Sequence, residues 1–286
     1  MRASSTPGHR VWFITGAGRG LGRAFAEAAL AAGDHVAAAA RTMGPLEELA
    51  ASHPPGRVLP LGVDVTDREA VRAAVAEAVG HFGRLDIVVN NAGMLAMGMV
   101  EEFTEAEARA QLDVNFFGAL WVSQAVLPTL RHQGSGHIVQ ISSIAALGGF
   151  PSTGLYSASK FALEGMSEAL ALEAAGFGVK VSIVHPGGYW TDLYTAMRNT
   201  SALGPYASLR EELEKQFAQG SVDSDPKLAA RALLTLVDSD DPPRRLLLGG
   251  TAYDLAFDLA HQRMAAWAAW EPVSRAAEQP IPAPNP

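Results

Sequence analysis

A short apolar run, Val11 to Thr15, leads directly into a turn with glycine at positions 16, 18, 20 and 22. The stretch from Leu21 to Ala32 that follows is rich in alanine and has the composition of a helix. Glycines between a buried strand and a helix let the backbone turn sharply and expose the free N–H groups at the helix N-terminus. This arrangement restricts the chain to few folds and predicts a site for the phosphates of a nucleotide.

Apolar runs typical of buried strands alternate with helical patterns along most of the chain. The predicted strands are Val11–Thr15, His35–Ala40, Val58–Val63, Ile87–Asn90, His137–Ile141, Val179–Val184 and Arg245–Leu248. The predicted helices are Leu21–Ala32, Pro45–Ala51, Asp67–Phe82, Glu105–Leu130, Tyr156–Ala174 and Pro226–Val237. Continuous apolar strands separated by helices are typical of a parallel sheet covered on both faces. We therefore predict an α/β fold: a single Rossmann-like, doubly wound domain with a mostly parallel sheet of about seven strands.

The same alternation predicts how the chain is divided. Residues 1–9 are predicted to be an N-terminal tail and residues 10–270 the Rossmann-like domain. Residues 188–219 interrupt the rhythm with aromatic, methionine and charged side chains, so we expect an insertion that covers the ligand crevice and closes on substrate. Residues 271–286 contain five prolines and no periodicity, which predicts a tail that is loose or packed on a partner.

Composition excludes several classes of function. The chain has no cysteine, which removes disulfides and thiolate chemistry, and its eight histidines lack the paired spacing of a zinc site, so we predict no metal. The 22 lysines and arginines are dispersed and the net charge is −8, so we predict no nucleic acid as a partner. The chain has no apolar run of about 18 residues, and its N-terminus lacks the apolar core of a signal peptide. We therefore expect a cytoplasmic protein without a membrane partner.

Further short motifs follow the later strands in order. They are Asn90-Asn91-Ala92-Gly93 after the fourth strand, Asn115 in the long helix, Ser143 after the fifth strand, Tyr156-Ser157-Ala158-Ser159-Lys160 in the next helix, and Pro186-Gly187 with Thr191-Asp192 after the sixth strand. Together with Thr15-Gly16-Ala17-Gly18-Arg19-Gly20-Leu21-Gly22, this set resembles the short-chain dehydrogenase/reductase family. The resemblance covers the chain from Val11 to Asp192.

Tyr156 and Lys160 lie four residues apart, so they share one face of the predicted helix. A phenol with its ordinary pKa of about 10 releases a proton too reluctantly for catalysis near neutral pH. A nearby ammonium favours the phenolate and brings that pKa towards the range that a general acid or base needs. Taken alone, such a pair is more often a packed ring beside a solvated amine. Its place downstream of a nucleotide-binding turn is what favours catalysis.

The resemblance implies a catalytic set of four residues, Asn115, Ser143, Tyr156 and Lys160. Ser143 would orient the substrate oxygen, and Lys160 would also hold the ribose of a nicotinamide cofactor. Asn115 would expose a backbone carbonyl or hold a water that relays protons to Lys160. The residues expected at the cofactor are Gly16, Arg19, Gly20, Leu21, Gly22, Arg41, Asp64, Val65, Asn91, Ala92, Gly93, Tyr156, Lys160, Pro186, Gly187 and Thr191.

Two positions bear on the adenosine half of that cofactor. Asp64 and Val65 resemble the pair that contacts adenine in the family, and the alternative is that Asp64 caps the next helix. At the end of the second strand, Ala40 stands where NAD-preferring relatives place an acid for the ribose 2′-hydroxyl. Because Arg41 follows and Arg19 lies in the glycine turn, we expect NADP(H) rather than NAD(H). The alternative is that both arginines are solvated surface charges.

Apolar side chains flank the catalytic segments and predict a pocket for a bulky apolar substrate. They are Met94, Leu95, Met97, Leu147, Phe150, Tyr189, Trp190, Tyr194 and Met197. The leading function is that of a ketoreductase: NADP(H)-dependent interconversion of a ketone or aldehyde and the corresponding alcohol. The alternatives are an epimerase or dehydratase that uses bound NADP(H), and a regulator that senses the cofactor without turnover. The resemblance also implies a homodimer or a homotetramer.

Overall fold

The computed structural model describes residues 8–191, 196–218 and 223–279. The predicted motif residue Asp192 and the predicted pocket residue Tyr194 lie outside these ranges. So do residues 1–7 and 280–286 of the predicted tails, and Gln219 at the end of the predicted insertion.

The described part of the chain forms nine strands. They are β1 (Val11–Thr15), β2 (His35–Ala40), β3 (Val58–Gly62), β4 (Ile87–Asn90), β5 (Ala96–Met97), β6 (Gly136–Ile141), β7 (Val179–Pro186), β8 (Arg198–Asn199) and β9 (Arg245–Leu248). Seven of them form one parallel sheet in the order β3-β2-β1-β4-β6-β7-β9, and β5 pairs with β8 in a separate two-stranded sheet. The prediction of a Rossmann-like fold with about seven mostly parallel strands is confirmed.

Helices connect the strands and cover both faces of the sheet. They are α1 (Gly20–Ala31), α2 (Gly44–Ala51), α3 (Arg68–Phe82), α4 (Glu105–Leu112), α5 (Gly118–Gln133), α6 (Gly154–Ala175), α7 (Ala207–Ala218), α8 (Pro226–Asp238), α9 (Gly250–Ala269) and α10 (Glu271–Ala276). Side chains along β1 alternate between two apolar layers, because successive residues of a strand point to opposite faces. Trp12 and Ile14 join the layer with α1 and α8, whereas Val11 and Phe13 join the layer with α3 and α5.

The prediction of one continuous helix from Glu105 to Leu130 is wrong in one respect. A π-helical turn, Asp113–Phe117, separates α4 from α5. The wider turn buries Asn115 to 1% exposure, and Gly118 begins α5 where a Cβ would lie 2.7 Å from Cγ2 of Val65. Single π turns inside helices are frequent at functional sites, and this one turns a polar side chain into the interior.

The C-terminal part of the chain is more helical than the sequence predicted. α9 follows β9 at once, and α10 occupies the start of the stretch that was expected to lack regular structure. Apolar residues are spread around α9 instead of marking one face, which is why the pattern of an amphipathic helix was missed.

Two limits on what the described residues can do follow from the geometry. None of their helices combines the length and the apolar character that crossing a bilayer requires. Nor do these residues bring three histidine or carboxylate side chains together as metal ligands. Polar chemistry is concentrated at the carboxyl ends of the strands, where the sheet order continues from β1 to β2 on one side and to β4 on the other.

Candidate active site

The loops after β1 and β4 are fastened to each other by side-chain hydrogen bonds. The Thr15 hydroxyl oxygen accepts the backbone N–H groups of Asn91 and Ala92, both at 3.0 Å. In return, the Asn91 Nδ2 donates to the Thr15 carbonyl oxygen at 2.9 Å. The glycine turn and the Asn90-Asn91-Ala92-Gly93 motif therefore form one rigid wall at the carboxyl edge of the sheet.

The glycine turn provides a backbone surface without side chains. A Cβ on Gly22 would lie 2.3 Å from the Gly16 carbonyl oxygen, and one on Gly20, whose φ is +54°, would lie 3.2 Å from the Thr191 Cβ. No side chain caps the N-terminus of α1 among the described residues. Free N–H groups and close backbone approach are what a diphosphate requires, so the residues present fit the phosphates of a dinucleotide. The Thr191 side chain lies over Gly20.

The end of β2 lies beside the glycine turn. A Cβ on Gly18 would lie 3.7 Å from the Cβ of Ala40, so Ala40 closes this side of the turn with a methyl group. Arg19 and Arg41 are exposed and make no side-chain hydrogen bond or ion pair within the described residues. Arg23 nearby is already engaged, because its guanidinium donates to Glu27 and to the Pro45 carbonyl oxygen.

The loop after β3 resolves the two interpretations of Asp64. Asp67, not Asp64, caps α3 by accepting the N–H groups of Glu69 and Ala70, both at 3.0 Å. Asp64 accepts the N–H and the hydroxyl of Thr66 and remains exposed. The capping alternative is therefore wrong. The Val65 side chain packs in the core.

Tyr156 and Lys160 lie on one face of α6, and both are buried. The Lys160 Nζ lies 5.8 Å from the centroid of the Tyr156 ring and donates to the Ile141 carbonyl oxygen, at the end of β6, at 2.8 Å. Burial lowers the pKa of Lys160 from its ordinary 10.5 to about 8, and the charge of Glu164 one turn further on opposes that shift. The amine is therefore held where its charge acts directly on the phenol.

Ser143 and Asn115 approach the same place from two other elements. Ser143 follows β6, and its hydroxyl oxygen accepts the Ala145 N–H at 3.2 Å, which leaves its proton for donation to a ligand. The Asn115 Oδ1 accepts the Met94 N–H at 2.8 Å, and its Nδ2 donates to the Met94 carbonyl and to the Ser159 hydroxyl, both at 3.0 Å. The side-chain amide of Asn115 is therefore engaged on both sides and fixes the main chain of Met94.

Only some of the predicted pocket residues surround Tyr156. Leu95 and Ala145 form a small apolar cluster with the Tyr156 ring, and Met97 and Met197 pack against it. Met94 does not belong to this cluster, and its main chain binds the Asn115 side chain, as described above. Sequence reasoning missed Ala145, which is too small to signal a pocket.

The other predicted pocket residues lie elsewhere. Tyr189 is buried in the apolar layer under α1 and α8, so its assignment to the pocket is wrong. Trp190 is 74% exposed, and Leu147 lines a separate groove between α6 and α9. Phe150 is half-buried in the turn before α6, where its carbonyl accepts from Thr153. Pro186 ends β7 and Gly187 follows it, and both lie close to Leu248.

Two buried carboxylates were missed. Glu164, four residues after Lys160, accepts from the Ser142 hydroxyl at 2.8 Å and from Arg245 at 3.3 Å. Its pKa is raised by burial, although these two partners oppose that shift. Its spacing from a buried lysine was a signal that could have found it. Glu102 gave no such signal, since all its partners except Met99 lie about a hundred positions away.

Glu102 fastens the predicted insertion to the body. Its carboxylate accepts the Met99 N–H, the Thr200 hydroxyl and the Leu203 N–H at 2.8–2.9 Å, and it pairs with Arg210. Burial alone would raise its pKa, but these hydrogen bonds and the charge of Arg210 lower it below the ordinary value. The part of the insertion near Thr200 is therefore anchored, and closure of residues 188–219 on substrate stays a prediction.

Comparison with known proteins places these features in a family. The family model described as short chain dehydrogenase matches residues 10–202. Oxidoreductase BOA17 of Botryotinia fuckeliana is 40% identical over 93% of this chain and 98% of its own length. A 3-ketodihydrosphingosine reductase of Bacteroides thetaiotaomicron is 39% identical over 84% of this chain and 88% of its own length.

Solved structures that resemble this chain belong to the same family as the sequence relatives. A short-chain dehydrogenase of Streptomyces avermitilis superposes with a TM-score of 0.89 at 39% identity, covering 96% of this chain and 100% of that one. A short-chain dehydrogenase of Burkholderia cenocepacia in complex with NADP superposes with a TM-score of 0.73 at 30% identity, covering 91% of this chain and 97% of that one. A 3-ketoacyl-(acyl-carrier-protein) reductase of Brucella melitensis, solved with NADH, superposes with a TM-score of 0.72 at 25% identity, covering 85% of this chain and 98% of that one.

The anchoring role of Glu102 can be tested by Glu102→Gln. The amide cannot accept all four donors, so one buried donor loses its partner and the local structure opens about tenfold more often. Hydrogen exchange at residues 198–206 should therefore accelerate by about that factor. Glu101→Gln is the matched control, because the neighbouring carboxylate is exposed and contacts only the Tyr206 hydroxyl at this site. Equal protection in both variants would contradict the anchor.

The lowered pKa of Lys160 predicts how stability depends on pH. Between pH 8 and 10.5 the unfolded chain binds the proton and the folded protein does not, so wild type gains stability as pH rises through this range. One pKa unit is about 1.4 kcal/mol, so the whole gain is roughly 3 kcal/mol. Lys160→Met should lack this gain. Urea unfolding of the cofactor-free proteins at pH 7.5 and 10 measures it, and parallel changes in the two proteins would show that the amine is not desolvated.

Proposed function

Because the chain belongs to the short-chain dehydrogenase family, a family of oxidoreductases, we propose that it transfers hydride between NADP(H) and a carbonyl or alcohol substrate. In this proposal it interconverts a ketone or aldehyde and the corresponding alcohol, and the substrate is bulky and apolar. The observation that carries the proposal is the buried pair of Tyr156 and Lys160 at the carboxyl end of β6, with Ser143 in the loop that follows this strand.

The proton is handled by Tyr156. In the direction of reduction its phenol donates a proton to the substrate oxygen, and in the direction of oxidation its phenolate accepts the proton from the alcohol. The Lys160 ammonium stabilises the phenolate, since opposite charges within a few ångströms favour the ionised form. When bound, the nicotinamide supplies or accepts the hydride.

The remaining members of the catalytic set position the substrate and relay protons. The Ser143 hydroxyl donates to the substrate oxygen and holds it near the phenol, because its own oxygen is already occupied by the Ala145 N–H. The backbone carbonyl of Asn115, which lies within the π turn, would accept the next hydrogen bond in a relay of protons from Lys160. Lys160 also contacts the nicotinamide ribose.

The cofactor would lie across the glycine turn, with its phosphates at Gly16, Gly20, Leu21 and Gly22. Its nicotinamide half would follow Asn91, Ala92 and Gly93 on one side and Pro186, Gly187 and Thr191 on the other. Asp64 and the main chain of Val65 would contact the adenine. The backbone clearance at Gly22 and the position of Thr191 over Gly20 support this path.

The apolar cluster around Tyr156 supports an apolar substrate. Leu95, Ala145, Met97 and Met197 present hydrocarbon and thioether groups to the phenol, and a methionine-lined surface adapts to irregular shapes. Two similar proteins, the 3-ketodihydrosphingosine reductase and the 3-ketoacyl-(acyl-carrier-protein) reductase, carry a keto group in the names of their substrates. We therefore favour a ketone as the group reduced.

NADP(H) is proposed over NAD(H) because of the groups at the end of β2. A 2′-phosphate there would meet the Ala40 methyl group, which carries no charge to repel it, and the free guanidinium groups of Arg41 and Arg19. A planar guanidinium forms paired hydrogen bonds with a phosphate. Similar proteins have been solved with NADP and with NADH, so the preference depends on these residues and not on the family.

Tyr156→Phe tests the mechanism. Loss of a general acid costs about 10²–10⁴-fold in rate, so kcat should fall by that factor while the affinity for NADPH remains. Tyr253→Phe is the control, since it removes a hydroxyl from an exposed ring on α9. Turnover is measured with a panel of ketones and alcohols by the absorbance of the reduced cofactor. Near-normal turnover in Tyr156→Phe would refute the mechanism, and cofactor binding without turnover of any substrate by wild type would favour the sensing regulator.

Arg41→Ala tests the cofactor preference. Hydrogen bonds to charged groups are worth about 1.5–3 kcal/mol each, so NADPH affinity should fall about 10- to 100-fold while NADH affinity changes little. Arg72→Ala removes the same charge from the exposed face of α3 and should affect both cofactors equally and weakly. Fluorescence titration with both reduced cofactors measures the difference. Tighter binding of NADH than of NADPH by wild type would overturn the assignment.

A further inference from the structure

Two consecutive turns of α6 bind two consecutive residues at the end of β6. The Lys160 Nζ donates to the Ile141 carbonyl oxygen at 2.8 Å. One turn further on, the Glu164 Oε1 accepts the Ser142 hydroxyl, also at 2.8 Å. The next residue of the chain is Ser143, so the loop that carries the catalytic serine starts from a point that Glu164 helps to fix.

Glu164 is a buried carboxylate whose charge is only partly offset by its neighbours. Arg245 approaches its Oε2 at 3.3 Å, but the same guanidinium lies closer, at 2.5 Å, to the exposed Glu168. His185 is buried 3.3 Å from Glu164 and is neutral near pH 7, because burial and the charge of Arg245 lower its pKa to about 4. A buried charge that shares its partner in this way needs a further opposite charge to offset its lost hydration.

Lys160 is the buried cation within reach of that carboxylate. It lies four residues before Glu164, on the same face of α6. Among the described residues, Glu164 is the group whose charge acts on the amine. The amine also faces the Ile141 carbonyl oxygen, the main chain of Gly93 and the titratable phenol of Tyr156. The two opposite charges make no direct ion pair, and they attract each other through an interior of low dielectric constant.

We propose that Glu164 is a positioning residue of the active site, which acts through Lys160 and Ser142. Its charge keeps the amine of Lys160 in the ammonium form, and its hydrogen bond to Ser142 fixes the strand end from which Ser143 extends. The role rests on the proposed function, since the ammonium affects catalysis only where Tyr156 moves a proton. Burial lowers the pKa of Lys160 to about 8, and without the opposing charge of Glu164 that pKa would fall further.

The carboxylate has to remain ionised to fill this role. Burial raises the pKa of Glu164, and the charge of Glu168 acts in the same direction. The Ser142 hydroxyl and the Arg245 guanidinium oppose both effects, because each donates a hydrogen bond that favours the ionised form. Arg245 therefore stabilises Glu164, and Glu164 in turn stabilises Lys160.

Direct titration of Lys160 tests the effect of the charge. The chain has only three other lysines, at positions 180, 215 and 227, so lysine labelled with ¹³C at the ε-carbon gives four NMR signals. The signal that is missing in Lys160→Met belongs to Lys160. In the cofactor-free protein, Glu164→Gln should lower the pKa of Lys160 by about one unit, a tenfold loss of proton affinity. Glu164→Asp keeps the charge and should leave that pKa nearly unchanged.

Glu168→Gln is the matched control. It removes the same group one turn further along α6, from a carboxylate that also contacts Arg245 but is exposed to water. The pKa of Lys160 should therefore change little in this variant. An unchanged pKa in Glu164→Gln, or an equal fall in Glu168→Gln, would overturn the proposal.

The reciprocal titration does not require a folded variant of Glu164. The coupling between two titrating groups is mutual, so Lys160→Met should raise the pKa of Glu164 by about the same one unit. The carboxyl ¹³C signal of Glu164 measures it. An unchanged pKa of Glu164 in Lys160→Met would overturn the proposal independently of the first titration.

Turnover distinguishes a positioning role from a purely structural one. In alcohol oxidation, Glu164→Gln should lower kcat about fivefold at pH 8, where Lys160 then loses most of its charge, and little at pH 6.5. Ser142→Ala keeps the charge and should lower kcat by the same factor at both pH values. An equal loss at both pH values in Glu164→Gln would overturn the proposal. Wild type without any turnover would refute the proposed function, and the two titrations would still decide whether Glu164 holds the ammonium.

Discussion

The hydroxyl of Thr15 joins the two loops on which the site depends. It accepts the main-chain N–H groups of Asn91 and Ala92 and donates to the Val89 carbonyl at 3.3 Å. Parallel strands bring their carboxyl ends to one edge, but nothing in the sheet itself fixes the loops that follow. Together with the Asn91 amide, this side chain fastens the glycine turn to the loop after β4, so the surfaces proposed for the phosphates and for the nicotinamide are held in one arrangement.

Most of the sheet could be predicted from the sequence, because each strand is apolar on both faces. The bounds of β1, β2, β4 and β9 agree residue for residue with the pattern, since each run is followed by a glycine, an arginine or an asparagine. Tyr156 and Lys160 could be paired because four residues along a helix return to the same face. Ser143 and Asn91 could be placed because each lies within two residues of the end of a strand of the sheet.

The sequence could not predict contacts that join distant segments without a periodic signal. Glu102 meets Thr200 and Arg210 across about a hundred residues, and only the folded chain brings those donors to it. Tyr189 was misplaced for the opposite reason: it follows a strand close to the crevice, yet its ring turns back into the apolar layer. An aromatic residue near a site fills either the site or the core, and the direction of its side chain decides which.

The π turn at Asp113–Phe117 has a consequence for how the gene can change. A π turn amounts to one extra residue within an α-helix, and each residue of a regular helix advances the chain by about 100°. Deletion of any one residue between positions 113 and 117 would restore an unbroken helix. It would also rotate α4 by more than a quarter of a turn relative to α5 and swing the Asn115 side chain away from Met94. The length of this helix is therefore under tighter constraint than its composition, and drift in this segment is expected to proceed by substitution, not by insertion or loss.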